Sequence, residues 1–143
     1  MKIAATIARI LLGIMFVFFG ANGMFNFLHA PPPPPGTVGQ FITSMSASHY
    51  GAAVGFFQVV SGLPLLFNRY VPLALTILAA IIVNILLFHI LMAPASIGPG
   101  LVAGLLWLIV FWQVRSAFAG IFQARVPTDQ RARTRAAEAP SAR

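Results

Sequence analysis

The stretch Arg69–Pro94, RYVPLALTILAAIIVNILLFHILMAP, decides how the rest of the chain is read. Between Val71 and Met92 it carries no charged side chain. Roughly 20 apolar residues, rising about 1.5 Å each in a helix, cross the hydrocarbon of a bilayer. The stretch therefore reads as a membrane-spanning helix. Two polar residues interrupt it, Asn84 and His89. A polar side chain at membrane depth costs free energy unless a partner satisfies it. The helix is expected to sit inside a bundle, with both residues turned toward other helices.

On its N-terminal side, Asn68, Arg69 and Tyr70 form a short charged turn, and Pro72 falls in the first helical turn, where its missing donor is harmless. Before that turn, residues 49–67 read as another span, weakened by three glycines and Pro64, with Gln58 at its middle. Gly51 and Gly55 are four apart, as are Gly100 and Gly104, a spacing that lets helix backbones approach closely. On the C-terminal side, the uncharged loop Ala93–Pro99 leads to a span over residues 100–122. Trp107 and Trp112 in that span are expected to mark a membrane interface.

The first apolar segment covers residues 3–28. A secretory signal peptide opens in a similar way, but this run is longer than such a core and offers no clean cleavage site, so it reads as a retained span. Arg9 lies about two turns in. Its guanidinium is expected to snorkel to the headgroups or to pair with Gln113 of the last helix. Residues 29–36, HAPPPPPG, cannot continue a helix, because consecutive prolines lack donors and favour an extended backbone. Beyond them Val38, Phe41, Ile42 and Met45 recur at helical spacing, which predicts a short interfacial helix after the proline loop.

The whole chain agrees with a membrane setting. Only 8% of its 143 residues are charged, against about 25% in a soluble domain. The net charge is +7, but the basic residues stand at the ends of apolar segments and do not form a nucleic-acid face. There is no cysteine, which excludes disulfides, thiol redox chemistry and thiolate metal sites. The expected architecture is an all-α, integral membrane four-helix bundle over residues 1–125, with a disordered basic tail over 126–143. Four spans put both termini and the Asn68–Tyr70 turn on one side. All nine Lys and Arg residues lie at or near that side, and loops 29–48 and 93–99 hold none. The positive-inside rule then makes both termini cytoplasmic.

Placed by depth, five polar residues fall in one half of the bundle: Asn22 and Asn26 one turn apart, Gln58, Asn84 and His89. They are the candidate pocket, opening outward beneath the proline loop, with His29 and His49 at its rim. No carboxylate or cysteine lies near these histidines and no His-x-x-x-His spacing occurs, so no metal site is expected. Two readings of the five stay open. One is that they hydrogen-bond across helices and hold the bundle together. The other is a pocket for a small ligand with donor and acceptor groups. The spans contain no acid–base pair, haem-ligand pair or nucleotide loop, so catalysis by this chain alone is not expected.

The stretches FFGANGMFNFLHAPPPPP (18–35), SGLPLLFNRYVPLAL (61–75) and VNILLFHILMAP (83–94), with matching span lengths, resemble the DoxX family of small four-helix bacterial membrane proteins. The resemblance covers nearly everything but the tail. It implies residence in a bacterial inner membrane. It also implies a link to quinone chemistry, because the family includes a small subunit of a thiosulfate:quinone oxidoreductase. A bound quinone and a membrane or peripheral oxidoreductase partner are what it suggests. Similar sequences carry a glutamate where this one has Gln58, so a role for that carboxylate in proton or cation handling would be missing here.

Overall fold

The computed structural model describes residues 2–29 and 31–122, and these are all helix, turn and loop, with no strand. The helices are α1 (Lys2–Phe25), α2 (Thr37–Ala47), α3 (Tyr50–Leu66), α4 (Val71–Met92) and α5 (Gly98–Val114). Tighter 3-10 turns occupy Pro94–Ser96 and Arg115–Phe122. Three segments are long and apolar enough to cross a membrane: Ile3–Phe25, Val71–Met92 and Gly98–Ile121. The central helix has the limits its apolar run implied. The expected span over 49–67 is shorter, 17 residues, and α2 is bent 75° away from it; only if this pair counts as one broken span is there a fourth. The last segment is α-helical only to Val114. The tail expected from residue 126 lies outside the described residues.

The helices pack in a closed order. α1 lies against α3 and α5, α4 lies against α3 and α5, and α2 rests on α3. Leu12 and Phe16 of α1 meet Leu65 of α3, Leu75 and Leu78 of α4, and Ala103 and Val110 of α5 in one core. Large apolar side chains also point outward, among them Ile7, Leu73, Leu91, Leu105 and Leu108. In water this outer surface would be an aggregation surface. In lipid, apolar side chains outside cost nothing, and close contact between backbones must drive helix association instead.

That contact is made by glycines on α1 and α3. Gly13 faces Gly62 and Gly20 faces Gly55 in antiparallel register. Each pair of partners on one helix is seven apart, close to two full turns, so both glycines share a face. A Cβ on Gly20 would come within 2.6 Å of the Gly55 carbonyl oxygen, and a Cβ on Gly55 within 2.5 Å of the Gly20 carbonyl oxygen. On the other side of the molecule α4 and α5 are tied by a side chain. Trp107 donates its indole N–H to the Leu75 carbonyl at 2.8 Å and stacks on Phe111 with ring centroids 4.9 Å apart. Trp107 is therefore half-buried between helices, whereas Trp112 is exposed. An indole N–H buried in a dry core needs an acceptor, and the neighbouring helix backbone supplies it.

Arg9 does not pair with Gln113. It donates to the Leu65 carbonyl and, at 3.5 Å, to the Leu66 carbonyl, while Gln113 is exposed. The reason lies in how α3 ends. Asn68 adopts the left-handed conformation, φ 54°; its N–H bonds to Leu65 O and that of Arg69 to Pro64 O. This pattern closes the last turn, and Leu65 O, which can accept a second bond, and Leu66 O lie at the negative end of the helix dipole. The Arg9 guanidinium reaches them from the neighbouring helix, which satisfies its charge within the protein.

Candidate functional site

The glycine contacts draw α3 onto α1, and the Trp107 bond ties α4 to α5. α3 and α4 are joined by the Asn68–Tyr70 turn, and a gap opens among the helices on the other side. The gap is a cavity of about 1250 Å³ lined by α1, α2, α3 and α4, with no contribution from α5. Asn22, Asn26, Gln58, Asn84 and His89 all line it. His49 does as well, whereas His29 does not. The roof is α2, not the proline loop: Phe41, Ile42, Met45 and Ser46 face the cavity, and Phe41 stacks on Phe88 of α4 with centroids 5.4 Å apart.

Local sequence explains why α2 can lie there. Gly36 precedes it at φ 86°, a left-handed backbone that suits glycine. Gly39 is buried against the Pro34 carbonyl, and a Cβ there would overlap that oxygen, so the proline loop and α2 pack as one piece. His49, at φ 57°, makes the sharp bend from α2 into α3.

The five polar residues divide by what they already bond. Asn22 and Asn26 shape the end of α1. Asn22 accepts the Leu28 N–H on its side-chain oxygen at 2.8 Å, and the Asn26 N–H bonds to Asn22 O at 2.7 Å while Asn26 takes φ 48°. Asparagine tolerates this conformation better than most residues. On α4, Asn84 donates its Nδ2 to the Ala80 carbonyl at 3.4 Å. His89 contacts the Ile85 carbonyl through Nδ1 at 2.7 Å. A carbonyl only accepts, so Nδ1 carries the hydrogen, and in the neutral ring Nε2 is then an acceptor. His89 is further held edge-on by the Phe88 ring, 5.1 Å between centroids. Gln58 is different: it is half-buried against Gly20, and among the described residues its amide has no hydrogen-bonding partner.

The five side chains therefore share a cavity without bonding one another. Asn26 and Asn84 are exposed, and Asn22, Gln58 and His89 are half-buried, so all five are open to a ligand entering from the cavity mouth. The lining holds no Asp, Glu, Lys or Arg, so the cavity suits an uncharged ligand. Among the described residues no group of three His, Cys, Asp or Glu is placed to hold a metal. Sequence reasoning missed the aromatic members, Phe41, Tyr50, Phe57 and Phe88, although the helical spacing of Phe41, Ile42 and Met45 gave the apolar face that forms the roof. Outside the cavity lining, Ser61, one turn from Gln58, has a buried hydroxyl with no partner among the described residues. The chain matches no protein-family model, no curated protein and no solved structure.

Proposed function

We propose that this chain is a small multi-pass protein of the bacterial inner membrane, of DoxX type, that binds an uncharged small molecule in the cavity beneath α2 and acts as an accessory or membrane subunit. The observation that carries this reading is the Gln58 amide, turned into a large cavity with its hydrogen-bonding capacity unused. Leaving such a group unpaired away from water costs about 1–3 kcal/mol, which a ligand with donor and acceptor groups offsets. The cavity is larger than ordinary ligand pockets, which run to about 1,000 Å³, and its walls of aromatic and aliphatic side chains with few polar groups have the make-up of a binding site. The bundle in this reading has four spans, α2 and α3 together forming the second, with both termini cytoplasmic.

The test is to purify the protein in mild detergent and identify the small molecules that accompany it by mass spectrometry. A defined compound at near one per chain, lost in Gln58→Leu without loss of folding, supports the reading. Only bulk lipid, equal in both proteins, rejects it.

A second reading is a membrane subunit of a quinone-linked oxidoreductase. It is favoured by His89, whose free Nε2 faces the cavity and can accept a hydrogen bond or a proton from a quinol. In this reading electron transfer belongs to a partner. Assay of the partner-free protein with a quinol analogue and an artificial acceptor tests it. Turnover above a lipid-only background that disappears in folded His89→Ala would make the chain itself catalytic.

A further inference from the structure

We infer that the end of the bundle away from the cavity holds the headgroup of an anionic phospholipid, its phosphate bound between Arg9 of α1 and Arg69 of the turn joining α3 to α4. The inference rests on the chain spanning a bilayer and is independent of what fills the cavity. It begins with a difference in helix length. α3 has 17 residues, about 25 Å of helix, against a hydrocarbon core of about 30 Å. It ends beside Arg9, whose guanidinium bonds the Leu65 and Leu66 carbonyls. α1 continues from Arg9 back to Lys2, roughly 10 Å further along its axis. The turn Asn68–Tyr70 is therefore set back from the end of α1, and its three side chains carry polar groups and are exposed. A span that falls short of the hydrocarbon thins the bilayer around it, which draws the headgroups in, or sends long flanking side chains out to them.

The chemistry of this step in the surface selects an anion. Nη1 of Arg9 serves the two carbonyls, whereas Nη2 and Nε have no partner among the described residues. Arg9 is half-buried, and no Asp or Glu stands among the described residues to neutralise it. The carbonyl end of a helix carries only about half a negative charge, so net positive charge remains. Arg69 adds a second. Its backbone N–H bonds Pro64 O at 2.9 Å, on the same last turn of α3 that Arg9 reaches, which brings the two arginines to one corner of the molecule. A guanidinium fork matches two phosphate oxygens, and basic sites between membrane helices bind lipid headgroups in this way. The surroundings favour a lipid over a phosphate from solution. Ile10 of α1 and Leu63 and Phe67 of α3 are exposed beside the two arginines, and an acyl chain attached to the phosphate covers such surface.

The test uses the full chain in detergent, read by native mass spectrometry with added phosphatidylglycerol, phosphatidylcholine, oleic acid or glycerol 1-phosphate. One phosphatidylglycerol per chain is expected to be retained at a concentration at least about tenfold lower than any of the other three requires. Arg69→Gln and Arg9→Gln are each expected to remove most of that preference. Arg115→Gln is expected to leave it unchanged, because the Arg115 guanidinium bonds Trp112 O at 3.0 Å and lies over the Trp112 ring. Arg69 is exposed, so its variant reports even where Arg9→Gln fails to fold. Equal retention of phosphatidylglycerol and phosphatidylcholine overturns the inference. So does an equal loss in Arg115→Gln, which would mean diffuse attraction to a basic surface. A preference untouched by Arg69→Gln would put the lipid elsewhere, the cavity included, and overturns it too. Oleic acid held as tightly would show that charge alone is read, and glycerol 1-phosphate held as tightly would assign the site to a free phosphate; either result overturns the lipid. The cavity reading is decided separately, by the small molecule lost in Gln58→Leu, so either can fail without the other.

Discussion

At the scale of single residues, Gln58 and Arg9 illustrate opposite uses of a polar group in an apolar bundle. Gln58 is polar without a protein partner, so the protein gains nothing from its amide in the empty state. Gln58→Leu is expected to leave stability within about 1 kcal/mol of the parent, or to raise it slightly, while abolishing ligand retention. Thermal unfolding in detergent, alongside mass spectrometry of bound small molecules, checks both halves. Arg9 is the reverse, a charge held by the carbonyls that end α3. Arg9→Met removes a charged donor from an exposed helix dipole and is expected to cost about 1–3 kcal/mol. Gln113→Leu, at an exposed position, is expected to stay within about 0.5 kcal/mol. A comparable loss in both would mean that the two side chains do pair.

At the scale of elements, the contact between α1 and α3 rests on backbone approach. A side chain at Gly20 or Gly55 meets a carbonyl oxygen, which cannot move aside as a flexible side chain can. Gly20→Val or Gly55→Val is expected to destabilise by about 1–3 kcal/mol or to prevent folding. At Gly104 the nearest atoms to a Cβ are 3.9 Å away, an ordinary contact. Gly104→Ala is therefore expected to be tolerated within about 0.5 kcal/mol, as thermal unfolding of the pair of variants would show. The four-residue spacing picked out Gly51 with Gly55 and Gly100 with Gly104, but of these only Gly55 meets a facing backbone oxygen below 3 Å, and the seven-residue spacing of Gly13 with Gly20 and Gly55 with Gly62 marks the tight contact. Spacing alone does not tell these apart, because the depth of approach depends on what the facing helix presents.

At the scale of the whole molecule, the proposed topology places the Asn68–Tyr70 turn in the cytoplasm and the loops at 36 and 97 outside. The chain has no native cysteine, so single cysteines at these positions give unambiguous labelling. In intact cells, Gly36→Cys and Ile97→Cys are expected to react with a membrane-impermeant maleimide, and Asn68→Cys only after permeabilisation. Labelling of Asn68→Cys from outside would invert the bundle and turn the cavity toward the cytoplasm.

Much of this was legible in the chain. An uncharged run from Val71 to Met92 can only be buried, in protein or lipid, and it forms the helix α4 with those limits. The proline run breaks the helix because it lacks donors, and the spacing of Phe41, Ile42 and Met45 gives α2. Depth counting brought Asn22, Asn26, Gln58, Asn84 and His89 to one region, since rise per residue is fixed in a helix, and they do share a cavity. The sequence could not say which hydrogen bonds each would make. Asn84 and His89 turn to carbonyls one turn back on α4, Arg9 reaches α3 rather than α5, and Trp107 spans to Leu75. Helical periodicity fixes the face and height of a side chain along its own axis. Which neighbour stands across from it depends on how closely each pair of helices approaches, and only the packed structure sets that distance.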